Sequence, residues 1–312
     1  MENVSQKPHQ RLYWTRKCVQ LVSFLLLNGA TWGITQTFVT LPILLSLGDP
    51  QKTAVAALDA FQEMAAASLI PWVPFAAFVI FAILVGRTTC GWVCPFGFIV
   101  DVVAEINKNH KEVSARTHAS ALKFKYSVLG TVLFISSTLV LSLMSGFGKV
   151  YKDALGIAAA GPFSVFSPES TTMGILPLIA RDIFLYLLGV PPVVNPFSFE
   201  SIWARLSLTT WLLTVRLIIL ALTLVMSFYV MRAWCRYICP AGAFLAVFSR
   251  HSFLGLTRNL TLCNRCGDCN KVCPMKIRIT ERPWEKMTDP ECIMCLECAE
   301  ACSLKAIRPV FR

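Results

Sequence analysis

Two runs of evenly spaced cysteines near the C-terminus constrain this chain more than any other feature. Cys263-x2-Cys266-x2-Cys269-x3-Cys273-Pro274 is followed by Cys292-x2-Cys295-x2-Cys298-x3-Cys302. Three thiolates on one tight loop hold three corners of a [4Fe–4S] cubane. In two-cluster proteins of bacterial-ferredoxin type, the fourth cysteine of each run serves the other cluster. The pattern predicts one cluster on Cys263, Cys266, Cys269 and Cys302 and a second on Cys292, Cys295, Cys298 and Cys273. A pair of zinc sites or a disulfide framework is the competing reading, and eight cysteines in this doubled spacing disfavour it. Residues 251–312 are therefore expected to form a ferredoxin-like α+β domain with two [4Fe–4S] clusters, built to carry electrons.

Residues 1–250 read as a transmembrane domain. The chain is 55% hydrophobic and 15% charged, against about a quarter charged in soluble domains. Spans are expected at Val19–Thr40, Ser68–Gly86, Tyr126–Phe147 and Thr210–Met231, each near the length of about 20 residues that crosses a bilayer. A fifth apolar stretch, Ile175–Val190, holds Arg181 and Asp182 and reads as interfacial or re-entrant, because charge at mid-depth is costly. The fold class is thus an α-helical membrane protein, a four-span bundle carrying the C-terminal ferredoxin domain.

Lys and Arg in the short loops set the orientation. Ten lie in the N-terminal arm and the connection between spans two and three, and five lie on the other side. Both termini and the ferredoxin domain are expected in the cytoplasm, at the inner membrane. Cluster assembly in that reducing compartment agrees. The first apolar segment reads as an uncleaved anchor, without a twin-arginine signal. The net charge of +11 follows the positive-inside bias and is spread over several loops, so a nucleic-acid partner is not expected.

Four further cysteines form a repeat. Arg87-Thr-Thr-Cys90-Gly-Trp-Val-Cys94-Pro95-Phe-Gly97 closes span two, and Arg232-Ala-Trp-Cys235-Arg-Tyr-Ile-Cys239-Pro240-Ala-Gly242 closes span four, 145 residues later. Each Cys-x3-Cys-Pro element reads as a hook, with two thiols on one helix face and a proline limiting further helix. Two matching hooks on one membrane side predict that Cys90, Cys94, Cys235 and Cys239 form a third redox or metal site. Iron–sulfur, copper and a regulatory dithiol all fit that reading. Cys18 stands alone and reads as structural.

Other chemistry is not expected. The four histidines, His9, His110, His118 and His251, lie outside the spans, which disfavours haem held between helices. No Cys-x-x-Cys-His occurs for covalent haem, and no dinucleotide or phosphate-binding glycine loop is found. Arg216, within span four, reads as snorkelling to the interface, with a quinone contact as the alternative. Asp101 and Glu105 read as a solvated helix face, with proton transfer at a quinone site as the alternative.

Four spans, two Cys-x3-Cys-Pro hooks and a double ferredoxin motif together resemble the NapH-type membrane ferredoxin-like proteins, within the broader NapH, NosR and CcoG polyferredoxin group. The hooks at Cys90/Cys94 and Cys235/Cys239 carry the specific part of the likeness. The resemblance implies electron transfer between membrane quinone and an iron–sulfur partner protein, and onward to a respiratory reductase. A cupric reductase or a metalloenzyme assembly factor is the alternative within the group. Two departures stand out. The connection Gly148–Leu208, expected outside, is long, and Ser303 replaces the proline that usually follows the last cysteine.

Overall fold

A computed structural model describes residues 10–27, 39–41, 54–56, 72–107, 110–111, 113–155, 167–176 and 199–312. The architecture is helical. Helix α1, Gln10–Leu27, begins nine residues before the span expected at Val19–Thr40. That span does not continue as helix to its end. Val39–Leu41 forms a strand, β1, paired in parallel with β2, Ala54–Ala56, as the β-branched Val39 and Thr40 favour. Helix α2, Trp72–Val85, stops at Gly86, whose φ of +64° is the left-handed C-terminal stop that glycine adopts without penalty. Ser68–Pro71 of the second expected span lies outside the described residues.

The hook segments follow a common plan. The short α3, Thr88–Trp92, leads into α4, Pro95–Ile106. Helix α5, Ala115–Met144, is capped by Ser114, whose hydroxyl accepts from the Thr117 N–H. Among the described residues it is the one helix long and apolar enough to cross a membrane; Phe75–Val85, Leu213–Tyr229 and Pro240–Ser249 are shorter apolar stretches. Helix α6, Gly148–Leu155, follows. A short turn, α7, Pro168–Ser170, runs into a π-helical turn over Thr171–Ile175. The rest of the stretch expected to be re-entrant, after Leu176, lies outside the described residues. Helix α8 is Phe199–Tyr229. The second hook repeats the first, with α9, Ala233–Tyr237, before α10, Pro240–Ser249.

The repeat is therefore larger than the hooks. Each half runs long helix, second helix, hook, post-hook helix. The halves pack reciprocally: α4 of the first lies on α8 of the second, and α10 of the second lies on α2 of the first. The leading helices obey the same rule, α1 against α4 and α5 against α10. This arrangement is a pseudo-two-fold built from sequence repetition.

Strand β3, Leu254–Arg258, pairs antiparallel with β4, Ile307–Phe311, with Leu254 opposite Phe311 and Arg258 opposite Ile307. Two short helices, α11 at Asp268–Val272 and α12 at Glu297–Glu300, each carry the third cysteine of a run, Cys269 and Cys298. Both start from a left-handed residue, Gly267 and Leu296. The core is continuous from the helices to this unit, running through Phe78, Phe96, Trp234, Phe244, Met275 and Ile293.

Candidate metal centres

The hooks differ from the single helical face expected of an i, i+4 pair. Cys90 lies in α3 and Cys235 in α9, but Cys94 and Cys239 are the N-cap residues of the next helices, with extended backbone. Pro95 and Pro240 force the break, because proline lacks an N–H and clashes with the preceding turn. The same prolines then sit comfortably at the first position of the new helix. Each capping thiol accepts the N–H three residues on, Cys94 from Gly97 and Cys239 from Gly242, both at 3.4 Å. All four hook cysteines are buried in one core. Burial pushes the Cys94 thiol well up, and the next influence on it is Cys235 of the other hook. Burial likewise raises Cys235 to about 12 and raises Cys239, which also senses Cys235 and Cys90.

The hook arginines lock the halves together. The Arg87 guanidinium reaches the Cys235 carbonyl at 3.5 Å, and that of Arg232 reaches the Cys90 carbonyl at 3.0 Å. Each thus donates to the first cysteine of the opposite hook. Arg232 also binds Asp101 through two parallel bonds of 2.6 and 2.5 Å. The expected solvated face is thereby corrected: Asp101 is 6% exposed, and only Glu105, paired with Lys17 at 2.7 Å, is open to solvent. Burial works to raise the Asp101 carboxyl, but Arg232, Arg16 and Lys17 hold it below its ordinary value. The second half has Ala246 where the first has Asp101, and Arg87 takes its carboxylate from elsewhere in the chain.

That carboxylate is Glu291, beside Cys292. It accepts from Arg87 at 2.7 Å, Lys125 at 2.6 Å and the Tyr126 hydroxyl at 3.0 Å. At the other end of the same loop, Glu297 pairs with Arg16. Arg16 and Lys125 stand on the leading helices of the two halves, so the Glu291–Glu297 loop straddles the pseudo-two-fold. Between these anchors, the Trp92 indole donates to the Met294 carbonyl at 2.9 Å. A Cβ on Gly91 would lie 2.4 Å from the Ile293 carbonyl, so this contact between hook and loop requires glycine.

Each cysteine run contributes to two cavities. Cys263, Cys266, Cys269 and Cys302 line one. Cys273, Cys292, Cys295 and Cys298 line another, with Met275, Ile277, Met287 and Ile293 as apolar walls. The fourth cysteine of each run thus lies with the first three of the other. Both crossing thiols accept backbone N–H groups, Cys273 from Ile277 at 3.4 Å and Cys302 from Ala306 at 3.3 Å. Such bonds favour thiolate and tune a bound cluster. Among the described residues no three His, Cys, Asp or Glu side chains are drawn together tightly enough for a single metal ion. Each set of four thiols is the donor set a [4Fe–4S] cluster uses.

A family model described as a 4Fe-4S binding domain matches the chain twice, over residues 68–112 and 212–258. A second, described as a 4Fe-4S dicluster domain, matches residues 256–303. The ferredoxin-type protein NapH of Escherichia coli is 23% identical over 312 residues, covering 95% of this chain and 88% of that protein. The chain is similar to the NapH-like group of 4Fe-4S ferredoxin-type proteins. An uncharacterized protein of Methanocaldococcus jannaschii is 29% identical over 235 residues, 73% of this chain and 74% of its own length. The putative electron transport protein YccM of Escherichia coli is 27% identical over 226 residues, and the match spans about half of it, 51%. No solved structure matches. The doubled match places each hook of this NapH-like chain inside its own copy of one family unit, in agreement with the reciprocal packing.

Several residues at these centres gave no signal in the sequence. Glu169, on α7, is 2% exposed and accepts from the Trp234 indole of the second hook. Its charge falls on Cys94, Cys235 and Cys239, so the connection Gly148–Leu208 returns one segment to the hooks. His118 meets the Tyr237 hydroxyl at 2.9 Å and Arg236 at 3.2 Å, at the edge of an open cleft. Cys18 is exposed, and Arg216 is half-buried, its Nε–H donating to no partner among the described residues.

Proposed function

We propose that this chain is a membrane electron-transfer protein linking the quinone pool to an iron–sulfur redox partner of a respiratory reductase. One observation carries the proposal: the Glu291–Glu297 loop, which holds Cys292 and Cys295, is clamped onto the first hook through Arg87, Gly91 and Trp92 and onto the leading helices of both halves through Arg16 and Lys125. Such a loop keeps the thiols of the membrane edge and those of the ferredoxin unit within one buried core. In this reading Cys263, Cys266, Cys269 and Cys302 hold one [4Fe–4S] cluster, and Cys292, Cys295, Cys298 and Cys273 hold the second. Cys90, Cys94, Cys235 and Cys239 jointly hold a third centre. When bound, these groups supply one-electron carriers between a two-electron quinol and a one-electron partner.

The chain's own residues do the rest. Arg87 and Arg232 fix the hooks face to face and place positive charge beside thiolates. Met275, Ile277 and Ile293 keep water from the inner cavity, and exposure is one of the levers on cluster potential. Residues 1–250 form the four-span unit and 251–312 the ferredoxin unit. Membrane passage is supported by an inverted surface. Phe134, Leu141, Leu222 and Val225 are exposed, while Ser136, Thr223 and Ser227 are buried, as in bundles that pack small polar residues inward and face lipid outward.

The test is anaerobic purification with iron and sulfide counts, followed by reduction of the protein with a quinol. Eight irons from the ferredoxin unit, further iron at the hooks, and quinol-driven bleaching that Cys94→Ala abolishes are the expected results. Copper at the hooks and no quinol reaction would move the function to cupric reduction, since soft thiolates select Cu(I).

A further inference from the structure

We propose that the surface around Cys263, Cys266 and Cys302 is the docking face for a small acidic electron-carrier protein; this rests on the electron-transfer reading above. The two thiol cavities are placed differently. In the inner set Cys273, Cys295 and Cys298 are buried and Cys292 partly so; in the outer set Cys269 is buried, Cys263 and Cys302 partly so, and Cys266 is exposed. Among the described residues, no hydrogen bond or ion pair joins the Asn259–Gly267 turn to the helical unit, whereas the Glu291–Glu297 loop of the inner set is held to it by Arg87, Trp92 and Arg16.

The open face has the composition of a contact site. Leu260, Leu262 and Leu304 are 44%, 44% and 45% exposed, on turns tied together by the Asn259 N–H to Ala306 carbonyl bond of 2.8 Å. Leu304 lines the same cavity as Cys263 and Cys266. Apolar side chains beside an exposed redox edge let a partner come close and shed water.

Charge names the partner. Three of the seven carboxylates of this unit are engaged by the helices: Glu291 meets Arg87 and Lys125, Glu297 meets Arg16, and Glu300 accepts from the Leu12 N–H; Glu281 and Asp289 are paired with Arg278 and Arg282. Around the leucines stand Arg265 and Lys305, both exposed and without an ion pair among the described residues. The nearby acid, Asp268, is held by Lys271 at 3.0 Å. A cationic rim around an apolar centre selects an acidic partner and speeds its encounter.

The experiment is calorimetric binding to the full-length holoprotein in nanodiscs, without turnover. The probe is an acidic plant-type [2Fe–2S] ferredoxin, and basic cytochrome c is the counter-probe. Ferredoxin should bind, and its affinity should fall at least about tenfold when salt rises from about 50 to about 300 mM. Arg265→Glu with Lys305→Glu should weaken binding about tenfold or more with iron content unchanged. Leu304→Ser, which alters no charge, should weaken it too. Lys149→Glu, in α6 beyond the far end of α5, should not. Cytochrome c binding as tightly as ferredoxin, or ferredoxin binding that ignores the charge reversal, would overturn the docking face. Intact ferredoxin binding without quinol-driven reduction would instead overturn the quinone reading and leave the face standing.

Discussion

Arg232 and Asp101 are opposite charges in a place almost without water, and each is the condition for the other. Arg232 is 1% exposed and Asp101 6%, so either charge buried there without its partner would be costly. Asp101→Asn leaves a buried guanidinium uncompensated, and removing one member of such a pair costs about 3–5 kcal/mol. Chemical unfolding should show a loss of that size, with no comparable loss for the half-exposed Glu105→Gln. Asp101 is held below its ordinary value, so the clasp contributes at any pH above the aspartate range of about 3.9. It weakens only as acid carries the pH down through the lower folded value. The sequence read Asp101 as solvated because one carboxylate among Val100, Val102 and Val103 carries no mark of its partner, 131 residues away. Gly91 was equally silent: a glycine between two hook cysteines looks like a turn residue, not a contact. Gly91→Ala should push the Ile293 carbonyl away and loosen the loop at Cys292–Cys298. The expected readout is faster loss of one cluster's absorbance under chelator, and an unchanged loss rate would remove the contact from the account.

Elements were more legible than residues. Cys-Pro-x-Gly twice, 145 residues apart, predicts the same limit to helix in each copy, and in both copies a new helix starts at the proline. The error lay in continuity, since a spacing of four was read as one helix face. Proline at the next position ends that helix and turns the second cysteine into a cap, a consequence of its missing N–H. The packing of α4 on α8 and α10 on α2 was not legible, because it follows from the pseudo-two-fold and not from either copy alone. Crossed pairing of the C-terminal runs is the element-scale prediction. Cys266→Ser and Cys302→Ser should each disturb the same cluster, and Cys295→Ser and Cys273→Ser the other, resolved by electron paramagnetic resonance. Cys302→Ser grouping with Cys295→Ser would show that each run serves its own cluster.

At the scale of the whole molecule, the direction of each helix follows from what its ends touch. Helix α1 begins beside the ferredoxin unit, through Arg16 and Glu297, and leads away. Helix α2 returns to the same side, where the Ile83 carbonyl accepts from the Phe253 N–H at 2.7 Å. Helix α5 leaves again from Lys125 at Glu291, and α8 returns to the second hook. Two excursions that start and end at one place are what the proposed four-span path requires, with both hooks on one side. The lysine and arginine counts carry the expectation that this side faces the cytoplasm. Alkaline phosphatase, active only outside the cytoplasm, reports it directly. Fusions after Phe147, past the end of α5, should be active. Fusions after Ile106, at the end of α4, and after Arg250, past α10, should be inactive. Inverted activities would turn the protein over in the membrane and put the open thiol face in the wrong compartment for a cytoplasmic carrier. Activity at all three points would break the four-span path itself.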